Sequence, residues 1–200
     1  MKETKWQKNV ILADADYVDK VAFDLTVNFE RMLGRRIPKA DMATWLECIA
    51  LDGGMKFQEE DAPFQTGGVQ VVLLHGRERQ MLENFTPGHY ADELDGKAFT
   101  GRLGEFLISC VPVEDMVSAA DLFIDSLGII ANAAEVERLM VVPNAEHVYN
   151  KVRETLRHTN PDKHITVFTM DPTAGGQFRQ EILGYSLMAA LGIKSEEFKK

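Results

Sequence analysis

The residues best suited to chemistry are acids that follow apolar runs. In NVILADADY, residues 9–17, Asp14 and Asp16 stand one residue apart after an apolar run, and Asp19 follows one helical turn later. The run VVLL ends in His75, and EFLISCVPV leads into Glu114 and Asp115. Asp121 and Asp125 lie one helical turn apart in SAADLFIDSL, while RLMVVP is followed by Asn144 and Glu146, and ITVFTM by Asp171. Carboxylates gathered at one rim repel each other unless protons, lysines or a divalent cation intervene. Mg²⁺ or Mn²⁺ suits such a set, because hard cations take carboxylate and water ligands. A cation held there would organise water for phosphodiester hydrolysis. The competing explanation is structural: Asp and Asn end strands and cap helices throughout α/β proteins, stabilising by about 1 kcal/mol each. His75 at a strand end is a candidate general base or ligand. PTAGGQ, residues 172–177, is similar to a phosphate-cradling turn but lacks the spacing and lysine of a P-loop, so a plain turn is expected.

These residues need elements to position them. Residues 9–13 form a short apolar strand, and Val18, Val21, Ala22, Leu25, Phe29 and Met32 then recur at helical spacing. Gly34 and the segment before Pro38 stop that helix. Asp41 offers an N-cap for a second helix, ATWLECIAL, followed by the polar loop MKFQEEDAPFQTGG. GVQVVLLHG, residues 68–76, is a β-branched run bounded by glycines and reads as a strand buried on both faces. EFLISCVPV (105–113), RLMVVP (138–143) and ITVFTM (165–170) are expected to be three more buried strands. Helices are expected through MVSAADLFIDSLGIIANA, capped by Asp115 or Ser118, through AEHVYNKVRETLRHT, capped by Asn144, and over residues 178–191. Residues 77–104 are rich in turn formers; RERQMLENF has helical potential, and the rest reads as an excursion or lid. Residues 193–200 form a charged tail expected to fray.

Five short apolar strands alternating with helices specify an α/β fold, a three-layer α/β/α sandwich on a mainly parallel five-stranded sheet in one domain. Ligands of such sheets bind beyond the carboxyl ends of the strands, where strand order reverses. The bulk properties fit one soluble domain of 200 residues, 45% hydrophobic and 26% charged. No apolar run approaches the roughly 20 residues of a membrane span, and MKETKWQKNV lacks the apolar region of a secretory leader. Cys48 and Cys110 both sit in apolar runs and are expected to be free thiols in a reducing cytoplasm. A net charge of −9 disfavours diffuse binding of polyphosphates. Two local basic clusters remain, one of Arg31, Arg35, Arg36 and Lys39, the other of Lys151, Arg153, Arg157, His158, Lys163 and His164. They are read as solvated helix ends, with RNA as the partner they would otherwise suit. His147 and His158 are expected on helix surfaces.

The order of elements over residues 9–170 resembles the PIN-like and NYN nuclease group. There a first strand ends in a metal-binding Asp, an acidic residue lies on the helix before strand four, and strand four runs into an S-G-D-x-D-F turn. The resemblance puts Asp14 in the first position, Asp121 in the second, and Asn144 and Glu146 on the acidic positions of VVPNAEHVYNKV. With Asp171 from the end of strand five, the candidate ligands for Mg²⁺ or Mn²⁺ are Asp14, Asp121, Asn144, Glu146 and Asp171, and the candidate catalytic residues are Asp14, Asp121 and Glu146, with Asp16 added by the second resemblance below. The chain departs from the pattern where an amide replaces a carboxylate and Val142-Pro143 replaces the Ser-Gly pair. ILADADYV also resembles the D-x-D-x-[TV] opening of haloacid-dehalogenase-like phosphatases, with Asp14 as nucleophile and Asp16 as acid/base. His75 stands where that family closes its next strand with Ser or Thr. The departures favour a catalytically degraded PIN/NYN-like module that binds or regulates. The alternatives are a Mg²⁺- or Mn²⁺-dependent ribonuclease or phosphodiesterase and, behind it, the phosphatase. A further alternative is a structural or regulatory binding protein with no chemistry, associating through residues 77–103 or the last helix, QEILGYSLMAAL; a homo-oligomer is among the partners considered.

Overall fold

A computed structural model of the protein describes residues 5–57 and 68–199. Its first half contains β1 (Asn9–Asp14), α1 (Ala15–Leu33), β2 (Ala40–Asp41), α2 (Met42–Asp52), β3 (Val69–His75), β4 (Phe85–Thr86) and β5 (Ala98–Gly101). The second half contains β6 (Gly104–Pro112), α3 (Ala119–Asn132), β7 (Arg138–Val142), α4 (Ala145–Leu156), β8 (His164–Thr169), β9 (Arg179–Ile182) and α5 (Leu183–Ala190). Among the described residues the main sheet has seven strands in the order β5-β6-β3-β1-β7-β8-β9, with only β5 antiparallel to its neighbour.

The five strands legible in the sequence therefore lie side by side as third, second, first, fourth and fifth. The chain moves outward from β1 through β3 to β6, then returns to place β7 on the other flank of β1. Strand order reverses between β1 and β7, which defines the crevice where α/β sheets place ligands. Register is regular there: Ala13 pairs with Leu73 on one side and Val142 on the other.

Alternation along the central strands feeds two cores. Ile11, Ala13, Val71, Leu73 and Met140 pack with α1, α2 and α5 on one face. Val10, Leu12, Val72, Leu74 and Val141 pack with Phe123 and Leu127 of α3 and Val148 and Val152 of α4 on the other. Helix ends follow local chemistry. Asp14, Asp41 and Ser118 cap α1, α2 and α3 by accepting backbone N–H bonds. Gly34 ends α1 at φ 64°, a conformation that other residues rarely adopt.

Several elements differ from expectation. The sheet has two further edge strands, AFTG and RQEI, which are short, partly exposed and carry no apolar run to mark them in the sequence. Arg179–Ile182 pairs with β8, so the last helix begins at Leu183 rather than near residue 178. β6 is not buried on both faces: Phe106 and Ile108 face one core, while Leu107 is 39% exposed. The second core contains no β6 residue, so that face of the strand is uncovered. RERQMLENF forms no helix; its backbone turns through a single bridge between Met81 and His89.

Residues 77–104 form an excursion packed into the core rather than a loose flap. β4 pairs in parallel with β2. Leu82, Phe85, Tyr90 and Leu94 are all buried, the last two within a turn of π-helix at Tyr90–Leu94. The tail is also ordered through residue 199. Ser195–Phe198 makes a 3₁₀ turn, Glu197 pairs with Arg35 at 2.7 Å, and the Phe198 ring lies 5.6 Å from that of Phe29. The polar loop expected at residues 55–68 lies largely outside the described residues. Among those described, no helix is long and apolar enough to cross a membrane.

Candidate functional site

The carboxyl ends of β1 and β3 bring Asp14, Asp16 and His75 together, lining one small recess with Gly76. Each makes a specific bond within the protein. Asp14 ends β1, and its Oδ1 accepts the Tyr17 N–H at 3.1 Å, so the carboxylate caps α1. Burial pushes the Asp14 carboxyl above its usual range; the Tyr17 bond opposes this, and the nearby Asp16 charge adds to it. Asp16 bonds instead to the residue after β3 and to the excursion. Its Oδ2 accepts the Gly76 N–H at 2.5 Å, and its Oδ1 accepts the Tyr90 hydroxyl at 3.4 Å. Burial, then the Asp16 charge, keeps the Tyr90 phenol protonated well beyond its ordinary range.

His75 is buried, and its Nδ1 lies 2.9 Å from the Gly76 carbonyl oxygen, so Nδ1 carries the proton and donates. Its ring stacks on Tyr90, with centroids 3.8 Å apart and planes at 10°. Asp19, one turn along α1, is 6% exposed. Its carboxylate accepts the N–H groups of Glu83 at 3.2 Å and Asn84 at 2.8 Å, and the Asn84 amide at 3.1 Å. These bonds fasten the excursion to α1.

The remaining candidates do not line that recess. Asp121 lies in the first turn of α3, exposed and 3.9 Å from Lys151 Nζ. Glu146 opens α4, exposed and 3.6 Å from Lys20 Nζ. Asn144 occupies the N-cap position of α4 without making the expected cap bond, and its Oδ1 is buried with no hydrogen-bond partner. Asp171 is exposed, and its backbone oxygen accepts the Thr169 hydroxyl. Asp14, Glu146 and Asp171 share one neighbour, Tyr17, whose phenol is raised first by burial and then by these three charges. Tyr17 lines a groove of about 370 Å³ between α1, the start of α4 and the end of β8.

Asp14, Asp121, Asn144, Glu146 and Asp171 do not fit a divalent cation as arranged. One Asp14 oxygen caps a helix, Asp121 and Glu146 face lysines, and the one unpartnered buried oxygen belongs to a neutral amide. No group of three or more His, Cys, Asp or Glu side chains is placed to hold a metal among the described residues.

The other chemical groups have structural partners too. Cys48 and Cys110 are free and half-buried, and burial raises both thiols, Cys110 to about 12, so neither is a ready nucleophile. In the basic cluster near α4, Arg157 pairs with Glu154, Arg153 donates to the Gly175 carbonyl, and Lys163 donates to the Ala131 carbonyl at the end of α3. His147 and His158 are exposed on or beside α4. The residues that complete the rim around His75 come from the excursion: Tyr90, Arg77, Arg79 and His89. Their sequence shows no period, and the H-x-x-x-x-x-x-x-x-x-x-x-x-x-H-Y spacing of His75, His89 and Tyr90 carries no local signal.

Residues 3–198 match a family of unknown function, DUF6621, and the chain belongs to that family. Neither a curated protein nor a solved structure matches it.

Proposed function

For this member of the family, we propose a binding or regulatory module on a PIN/NYN-like scaffold, in which the acids at the strand mouth act as structural fasteners. The observation that carries this reading is that Asp14, Asp16 and Asp19 each accept backbone N–H bonds from within the protein. A carboxylate so engaged keeps fewer lone pairs for a cation and its water. The same bonds weigh against a haloacid-dehalogenase-like phosphatase, whose nucleophile and acid/base would be Asp14 and Asp16. A Mg²⁺- or Mn²⁺-dependent phosphodiesterase has one observation in its favour: the unpartnered Asn144 Oδ1, just beyond the strand that flanks Asp14.

Thermal unfolding during a Mn²⁺ titration separates these readings. The structural reading predicts no saturable rise in Tm up to millimolar metal, since a ligand stabilises in proportion to ln(1 + [L]/Kd). A saturable rise that disappears in Asp14→Asn would establish the metal-dependent alternative.

A further inference from the structure

A second cavity, of about 420 Å³, lies between the ends of β3 and β6 and the excursion, beside the stacked His75 and Tyr90. Its volume is that of a small-molecule site. Its lining includes Arg77, Arg79, Gln80 and His89. Two arginines and two imidazoles at one mouth are notable in a chain of net charge −9. The cavity's acid is Asp95, whose Oδ1 already accepts the Cys110 N–H at 2.8 Å.

The donors there are only partly used. Arg77 pairs through one guanidinium nitrogen with Asp115, leaving the rest of its fork. Arg79 has no ion-pair or hydrogen-bond partner among the described residues. His89 Nδ1 sits 3.6 Å from Asp92 Oδ2, close enough for charges to interact but too far for a hydrogen bond, and is buried without a partner. The cavity is also preorganised. Glu93 accepts the N–H groups of Gly88 and His89 at 3.0 Å each, and Asp19 and Asp16 anchor both ends of the segment.

We infer that this cavity binds a small phosphate monoester, with its phosphate on Arg77 and Arg79. A dianion matches two guanidinium forks in charge and in bidentate geometry, which a single carboxylate does not. The inference deepens the binding-module reading by naming the ligand class, and it rests on that reading only for its biological role.

Binding is measured by isothermal titration of the full chain with phenyl phosphate, inorganic phosphate and, as a control lacking the anion, phenol. Phenyl phosphate is expected to bind saturably and phenol not at all. Arg79→Gln is expected to weaken binding by about tenfold or more, whereas Arg153→Gln, on the far side of the sheet, leaves it unchanged. An RNA carrying a 5′-phosphate distinguishes the source. Binding lost with the terminal phosphate assigns the site to a nucleic-acid end, and binding of phenyl phosphate alone assigns it to a free metabolite; both support the inference. Equal binding of phenol, no saturable binding, or undiminished binding in a folded Arg79→Gln variant would overturn it. Failure here leaves the metal titration untouched, and a positive metal titration leaves the cavity untouched.

Discussion

Asp14 is an acid whose local role and protonation can be tested together. Its side chain caps α1, a task Asn performs as well, but burial opposes its charge. An acid raised in the folded state contributes most stability below its unfolded value of 3.8 and loses that contribution as pH climbs through the higher folded value. Asp14→Asn is therefore expected to match or exceed the parent Tm at pH 7, with the difference closing below about pH 4. A large loss at pH 7 would mean that the charge itself is required. Asp19 predicts the opposite. Truncation by Asp19→Ala leaves two backbone N–H groups without acceptors in a part-buried place. The expected cost is about 3 kcal/mol, or roughly 6–12 °C in Tm for a chain of this length; a shift under about 2 °C would show that water replaces the carboxylate. The sequence marks Asp14, Asp16 and Asp19 as a group but not their partners. A carboxylate that caps a helix and one that binds a cation look identical until the N–H groups facing them are known.

At the scale of elements, apolar runs and helical periods reported the buried parts well. β1, β3, β7 and β8 are continuous hydrophobic stretches, and α1 ends at the glycine that its φ requires. What escaped were elements defined by their partners. β9 and β5 exist because β8 and β6 offer them a free edge, and their own partly exposed side chains leave no pattern. The excursion is the same case, held by scattered anchors rather than by a periodic face. Gly88 is one of its tightest points. A Cβ there would meet the carbonyl oxygens of Leu82 and Phe85, the latter at 2.7 Å, and backbone cannot step aside as a side chain end can. Gly88→Ala is expected to detach residues 80–90 while sparing the sheet. Amide hydrogen exchange should then show lost protection at Leu82 and Tyr90 and retained protection in β1 and β7. Uniform protection would mean that the segment accommodates the methyl group.

Across the whole molecule, the sheet sets which acids can meet. Because order reverses between β1 and β7, Asp14 is central, while Asp121 and Asp171 arise from α3 and from the turn after β8. Placing several acids at the strand ends was legible in the sequence; whether they converge was not, because convergence depends on helix rotation and on lysines from other elements. Lys20 and Lys151 supply those opposing charges. The most direct measurement is paramagnetic broadening of backbone amide signals by Mn²⁺, which reports where the ion resides. With fastening acids, broadening at sub-millimolar Mn²⁺ should be weak, scattered over the exposed acids and unsaturable. Saturable broadening centred on Asp14, Tyr17 and Ala145, and absent in Asp14→Asn, would contradict the account.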